Sequence, residues 1–504
     1  MNILFIVVED WSANAIGCYG NPIVQTPALD ALAKQGIRFD RAYSQSPICN
    51  PSRSSFLTGL RPASTRVPGN DTVFDTAVPE NAPLLGKVLR RKAGFIGSIG
   101  KLPHKWNESK RLTEGFDHIE YTHTYDFVPE FRGSHKVCEP GPGGPSDVEE
   151  ESLYLADKAV AARLKKIREE RESALAAGKP NGWELRKPFQ QLLAEQIGDS
   201  GLDEDQMEDG RIAKSTRSLL HTLAANKKQF FLSVGFYSTH TPLLAPKKYV
   251  DLYDPKNIPL TSAPLENDRG VPSVAKRHGA NYDVFNGMYP EYAATPERQR
   301  EAIAAYYACA SYVDSRIGTL LKTLADLGLD KNTIVVVTSD HGFQLGEHGC
   351  WSKYTLFEQS TRVPLIVRVP GQAAKGQSCP GIVEMVDFLP TFCDLWNLPQ
   401  DASYEGLSFM PLLNSPQREW KAAAFSQVPI DGLGRSVRSK RYRYAEWSPR
   451  NPIVSATALE FYDLETDPFE QRNLANKPEY AQLQATHKQL LDKGWSSALP
   501  SSQH

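Results

Sequence analysis

Residues Thr333–Ser339 read Thr-Ile-Val-Val-Val-Thr-Ser, the clearest buried-strand run in the chain, and they stop at Asp340-His341-Gly342. A short run that is β-branched and apolar on both faces needs cover on both sides, which is the situation of a strand in a parallel sheet. The N-terminus repeats the pattern, because Asn2–Val8 forms a second such run and stops at Glu9-Asp10. Further strand runs at Phe95–Gly100, Gln229–Phe236 and Leu365–Val369 alternate with helical patterns at Asn21–Gly36, Leu84–Arg91 and Glu301–Leu327. In the first of these helices Thr26-Pro27 supplies cap and first position, and Leu29, Leu32 and Ala33 share a face. The alternation predicts an α/β fold, a large mostly parallel sheet flanked by helices.

Two regions break the alternation. Glu139–Glu151 carries Pro-Gly-Pro-Gly-Gly-Pro and then acidic residues, a loop composition, and residues 152–200 are rich in Lys, Arg, Glu and Ala without a core-forming period. Together, about 139–205, they read as a helical surface insertion; a substrate rim, a subunit contact and a solvated excursion are all compatible with it. Past residue 400, Ser436–Trp447 alternates like antiparallel strands, Glu460–Asn473 holds a strand–turn pattern, and the chain is helical to about Leu491. The expected division is a catalytic domain over 1–400 and a small α+β C-terminal subdomain with an antiparallel sheet over 401–504.

With 57 basic and 59 acidic residues the formal net charge is −2, which argues against a nucleic-acid surface built on overall charge. No apolar run reaches the length of a bilayer span. Met1-Asn2 leads straight into the first strand with no secretory signal, so the protein is either cytoplasmic or exported with its leader trimmed from this sequence. Seven cysteines include no C-x-x-C pair, which leaves no zinc-ribbon or redox motif.

The two strands that end in Glu9-Asp10 and Asp340-His341 bring hard ligands to one place, since functional groups of a parallel sheet gather at the carboxyl ends of its strands. Converging carboxylates call for a cation, and oxygen-rich ligation suits Ca2+ or Mg2+ better than zinc. A reactive centre of another kind lies at Cys49-Asn50-Pro51-Ser52-Arg53, followed by Leu57-Thr58-Gly59. Pro51 suits a first helical position, and Phe56, Leu57 and Leu60 supply an apolar face. Free N–H groups at such a helix start, with the Arg53 guanidinium beside them, are expected to cradle a tetrahedral oxyanion. A cysteine phosphatase is excluded, because it needs Arg six positions after the cysteine and residue 55 is Ser.

This pattern resembles the type I, formylglycine-dependent sulfatases of the alkaline-phosphatase-like superfamily, in which C-x-P-S-R precedes Leu-Thr-Gly. Gly100-Lys101-Leu102-Pro103-His104, Ser238-Thr239-His240-Thr241-Pro242, and Trp351-Ser352-Lys353-Tyr354 after Gly346-Glu347-His348-Gly349 fall on further motifs of that family. The stretches Gly235–Pro242 and Ser339–Gly349 are most similar to its iduronate-2-sulfatase branch. The resemblance implies one divalent metal, usually calcium, on Asp10, Asp340, His341 and the converted Cys49. Glu9 departs from the pattern, where Asp is commoner.

It further implies that a separate maturation enzyme oxidises Cys49 to formylglycine, whose hydrate attacks sulfur with Asp340 as base. Arg53, Lys101 and Lys353 would hold the sulfuryl group, and His240 with Lys353 would protonate the leaving alcohol. His104 would then take the proton of the second hydroxyl and so release sulfate. The implied substrate is a sulfated carbohydrate, the implied location periplasmic or secreted, and the oligomeric state is left open. Two alternatives remain: a phosphate or phosphonate esterase of the same superfamily, and a glycan-binding protein on an inactive sulfatase scaffold.

Overall fold

The computed structural model describes residues 1–500 except 107–108, 122–133, 139–147, 150–157, most of 180–194, 262–263, 277–294, 430–431 and 450–457. Its largest sheet has Asn2–Val8 near the middle, hydrogen-bonded in parallel to Thr333–Ser339 on one side and Phe230–Phe236 on the other. Phe95–Gly100 and His118–Tyr121 continue in parallel beyond Phe230–Phe236. On the far side Leu365–Arg368 runs antiparallel to Thr333–Ser339, and Ile37–Tyr43 and Gln377–Glu384 complete that edge. The register places Val8 opposite both Ser339 and Phe236, and Gly100 opposite Gly235. Residues 9–10, 101, 237–240 and 340–341 therefore leave the sheet together at the carboxyl ends of its strands.

Every residue of Asn2–Val8, Phe230–Phe236 and Thr333–Ser339 is buried. Leu4, Ile6 and Val8 face one core with the helices Glu208–Ala225 and Pro296–Asp326. Ile3, Phe5 and Val7 face a second core, where Phe56 of the helix Cys49–Thr58 meets Phe5 edge-on at 5.8 Å. Helices thus cover both faces, as the continuous apolar runs require.

Several elements differ from their expected bounds. The first helix is Pro27–Gln35; Thr26 stands at its cap position, but its hydroxyl accepts from Gly17 N instead of capping. The long helix starts at Pro296, because Thr295 Oγ1 accepts from Arg298 N ahead of the apolar face. Cys49 is itself the first residue of its helix and Pro51 the third, so the helix starts two residues earlier than expected. Within the expected insertion, Lys158–Ala176 is helical, but Ile197–Asp199 is a strand that pairs in parallel with Leu243–Ala245. The Glu139–Glu151 loop lies largely outside the described residues.

In the C-terminal part, Ala423–Val428, Gly432–Ser439, Tyr442–Pro449 and Ala458–Asp463 form an antiparallel meander, with the helix Ala481–Lys493 against it. The antiparallel strands expected over Ser436–Trp447 are Gly432–Ser439 and Tyr442–Pro449, joined at Lys440-Arg441. No described helix is long and apolar enough to cross a membrane.

Candidate active site

Cys49 sits at the N-terminus of its helix with its sulfur inside a knot of charges. Lys353 Nζ lies 3.0 Å from Sγ, His341 Nε2 3.4 Å and Glu9 Oε1 3.5 Å. Ligand atoms of Asp10, Cys49, Asp340 and His341 all lie within 4.8 Å of one another, and those of Glu9, Asp10 and His240 form a second such group. Four of the expected metal ligands are therefore gathered in one buried group, and Glu9 adjoins it in the second group that shares Asp10. Glu9 Oε2 is buried and carries no partner among the described residues, so an oxygen donor stands free there. A hard divalent cation fits this oxygen-rich set.

The three cations of the expected anion ring are already paired with the carboxylates. Lys101 Nζ donates to Glu9 Oε1, Lys353 Nζ to Asp10 Oδ1 at 2.7 Å, and Arg53 Nε to Asp340 Oδ2 at 2.9 Å. Arg53 is wholly buried and also donates through Nη1 to the carbonyls of Lys101 and Leu102 at 2.6 and 2.9 Å. It braces the Cys49–Thr58 helix against two strand ends and leaves the two N–H groups of Nη2 without a protein acceptor among the described residues.

The expected cradle of free helix N–H groups differs from the structure. Asn50 N donates to Asn70 Oδ1 at 3.0 Å, Ser52 N to Ile48 O at 3.0 Å, and Pro51 has none to give. Anion contact therefore falls to side chains.

Burial opposes every charge here, and the neighbours decide the outcome. Burial favours the protonated form of Glu9, but Lys101, His240, Arg53 and Lys353 together hold its carboxyl well below the usual range. Asp340 is likewise lowered, with His341 and Arg53 overcoming burial. In Asp10 burial prevails and the carboxyl is raised. Burial pushes the Cys49 thiol up to about 12, so an unmodified cysteine here is a neutral thiol. Burial also lowers His240 to about 4 and, with Lys101, holds His104 well below its ordinary value. Lys353 is raised well above its ordinary value, because Asp10 and Cys49 outweigh burial.

Both histidines stand at the cluster's margin. His240 Nε2 is 3.9 Å from Asp10 Oδ2, and its Nδ1 lies 2.7 Å from Thr241 O. His104 follows the Phe95–Gly100 strand; its Nδ1 is buried without a partner among the described residues, and the charges of Lys101 and Glu9 act on its ring.

A supporting layer is absent from the sequence reading. Asp10 adopts φ 59°, a left-handed conformation, and Tyr306 of the long helix donates to its carbonyl at 2.6 Å while accepting from Ser12 N at 2.9 Å. Thr239 Oγ1 donates to Glu9 O at 2.5 Å. Asp340 Oδ1 accepts from the backbone of Asp10 and His341, at 3.0 Å each. Ser52 Oγ donates to the Asp340 carbonyl. The only available signal for Tyr306 was an aromatic on the helix face that also carries Ala302 and Val313, which reads as core.

A parallel sheet that collects carboxylates, a histidine and a helix-borne cysteine at the carboxyl ends of its strands is the architecture of an alkaline-phosphatase-like hydrolase. The Sulfatase family model matches residues 1–398, and a model of the N-sulphoglucosamine sulphohydrolase C-terminal region matches 346–496. The chain belongs to the sulfatase family and is a sulfuric ester hydrolase. It is 27% identical to iduronate 2-sulfatase of Mus musculus over 557 residues, covering 96% of this chain and 92% of that protein. It is 26% identical to N-acetylglucosamine-6-O-sulfatase of Bacteroides thetaiotaomicron, covering 98% and 86%. Its fold matches, at TM-score 0.72 and 21% identity over 98% of this chain and 97% of the other, a protein solved with its substrate D-glucosamine-2-N,6-O-disulfate.

Proposed function

We propose that this sulfatase removes sulfate from a sulfated carbohydrate, using formylglycine formed from Cys49 by a separate maturation enzyme and one divalent cation. The observation that carries the reading is the position of Cys49 Sγ, at the first residue of a buried helix and within 3.5 Å of Lys353, His341 and Glu9. That sulfur stands where an oxygen of the converted residue would lie. Glu9, Asp10, Asp340 and His341, with residue 49, would hold the cation, calcium by the hardness of the donors and magnesium as the alternative. When bound, it supplies charge stabilisation to the sulfate ester and lowers the pKa of the residue-49 hydroxyl.

The chain's own residues divide the remaining tasks. Arg53 Nη2, Lys101 and Lys353 fix the sulfuryl oxygens, a task of preorganised charge. Asp340 is a weak base, so it suits the hydroxyl proton only when that hydroxyl is itself acidified. His240 is uncharged in the resting site, and an anionic ester beside it favours the protonated form that the leaving alcohol needs. His104, neutral and with a free ring nitrogen, is fitted to accept a proton in the second half of the cycle.

The carbohydrate class of the substrate is supported by relatives named iduronate 2-sulfatase and N-acetylglucosamine-6-O-sulfatase. Export from the cytoplasm and a division into a 1–400 domain and a 401–504 subdomain complete the proposal. The test is the mass of the tryptic peptide Ala42–Arg53 from protein made with a maturation enzyme, followed by matched aryl sulfate and aryl phosphate esters. Conversion of the thiol to an aldehyde and preference for sulfate are expected. A persistent thiol refutes the mechanism, and preference for phosphate refutes the substrate.

A further inference from the structure

Thr239 is a β-branched residue held at φ 90°, a conformation such residues avoid and keep only where the surroundings enforce it. It lies between Ser238 and His240, so the enforcement bears directly on the imidazole. Asp209, the second residue of the helix Glu208–Ala225, supplies part of it. Its Oδ1 accepts from Tyr237 N and its Oδ2 from Ser238 N, both at 2.8 Å, and the Ser238 hydroxyl bonds to the same carboxylate. Asp209 is 2% exposed, and its placement is tight: a Cβ on Gly210 would lie 1.8 Å from Glu204 O. On the other side of the turn, Thr239 Oγ1 is tied to Glu9 O, and His240 N donates to Tyr237 O at 3.0 Å.

A buried carboxylate that takes three hydrogen bonds from two consecutive residues is a costly device for closing an ordinary turn. The position it fixes is that of His240 Nε2, 3.9 Å from Asp10 Oδ2 at the margin of the charged cluster. We propose that Asp209 is a positioning residue for His240: its clamp on Tyr237 and Ser238 keeps Thr239 in its strained conformation and aims the imidazole at the leaving-group oxygen. This deepens the reading of His240 as the leaving-group acid and rests on it. Asp209 touches neither the ester nor the cation ligands and acts only through the loop. The strain in Thr239 is the stored cost of this aim, and releasing the clamp lets the loop relax away from it.

The assignment separates two classes of ester. An acid matters little when the departing phenol is already a stable anion, and it matters most for a basic leaving group. Formylglycine-bearing wild type and Asp209→Asn are compared on 4-nitrophenyl sulfate and 4-methoxyphenyl sulfate. In the variant an amide N–H meets a backbone N–H, so at least one clamp bond is lost. kcat/KM is expected to stay within about 3-fold of wild type on the nitrophenyl ester and to fall about 30-fold on the methoxyphenyl ester. Most of that loss lies in kcat, and Asp209→Asn adds little in an His240→Ala background, because both changes remove the same function.

Equal losses on the two esters, or full additivity with His240→Ala, overturn the proposal. If Asp209→Asn does not fold, Ser238→Ala removes one bond of the clamp and leaves the backbone pair. It is expected to show the same selective loss at about 3-fold, and equal or absent losses overturn the proposal. A formylglycine-bearing wild type that cleaves neither ester overturns the sulfate-ester reading itself, and this assignment with it. The sulfate reading survives an equal-loss result, so the two failures are distinguishable.

Discussion

Replacing Lys353 by Met tests whether the buried lysine holds the place of a second cation. Lys353 is 3% exposed, and its Nζ is 2.7 Å from Asp10 Oδ1 and 3.0 Å from Cys49 Sγ. Methionine keeps most of the stem and removes the charge, so Asp10 is left buried without its partner. Breaking such a pair costs about 3–5 kcal/mol. With an unfolding entropy of about 2 cal/mol/K per residue spread over 504 residues, this is a fall in Tm of about 3–5 °C in the presence of a chelator. At the proposed site, calcium held by Glu9, Asp10, Asp340 and His341 would supply the missing charge, and in the variant no ammonium group on residue 353 would repel it. The variant is therefore expected to bind calcium at least about 10-fold more tightly than wild type, a difference of about 1.4 kcal/mol, and to recover most of its Tm deficit at saturating calcium. Its sulfatase activity still falls by about 100-fold or more, because the charge aimed at the sulfuryl group is gone. Scanning calorimetry with chelator and with calcium, together with calcium titration calorimetry, reads both quantities. A Tm deficit that calcium leaves untouched, or a calcium affinity equal to or weaker than wild type, refutes the idea that lysine and cation share Asp10.

Three further outcomes are expected. Glu384 takes both Arg61 nitrogens at 2.8 and 2.7 Å and Lys421 at 2.9 Å, and these cations overcome burial and lower its carboxyl to about 2. Its contribution is present above the ordinary carboxylate pKa and lost as the pH falls through about 2, so Glu384→Gln flattens the acid limb of a Tm-against-pH curve and costs about 3–5 kcal/mol at pH 7; an unchanged acid limb refutes the assignment. Gly235→Ala would place a Cβ 2.0 Å from the Lys101 carbonyl. It is expected to destabilise by about 1–3 kcal/mol and to reduce kcat/KM by moving Lys101, whereas a fully active variant of normal Tm would show that the strand end adapts. Tyr306→Phe strips partners from Asp10 O and Ser12 N, costing about 1–3 kcal/mol and weakening calcium binding several-fold; equal calcium affinity in calorimetry would confine Tyr306 to packing.

The strands Asn2–Val8, Phe95–Gly100 and Thr333–Ser339 are legible to the residue, because strands buried on both faces must be apolar throughout. Ile37–Tyr43 escapes the same reading: Arg38, Asp40 and Arg41 interrupt it, and all three are only half-buried at the sheet's outer side. Most of the motif-borne site residues are brought together because their motifs follow core strands or lie on the helix packed beside them, whereas Lys353 follows Trp351–Ser352, a strand of a separate two-stranded hairpin. Asp209 and Tyr306 leave no comparable trace. An acid in a helix's first turn is ordinary, and a tyrosine on a core-facing helix reads as packing. What gives them a role is an atom 28 or 296 residues away, supplied by tertiary structure alone.

The charge balance of the cluster accounts for its tolerance of burial. Glu9, Asp10 and Asp340 are matched one for one by Lys101, Lys353 and Arg53, so the protein folds around a formally neutral knot and no carboxylate is buried without a cation. A divalent cation added to that knot leaves an excess of positive charge that side chains cannot quench, because their pairing is complete. On the proposed mechanism an anionic ester would complete the balance, with Arg53 Nη2, which has no protein acceptor among the described residues, in reserve for it. If both bind at this knot as proposed, cation and ester would be thermodynamically linked, each raising the affinity for the other by the same factor. The linkage also explains why the lysines pair with carboxylates when no ester is bound. On the proposed mechanism a divalent cation would compete with Lys101 and Lys353 for Glu9 and Asp10, leaving the ammonium groups available to the sulfuryl oxygens.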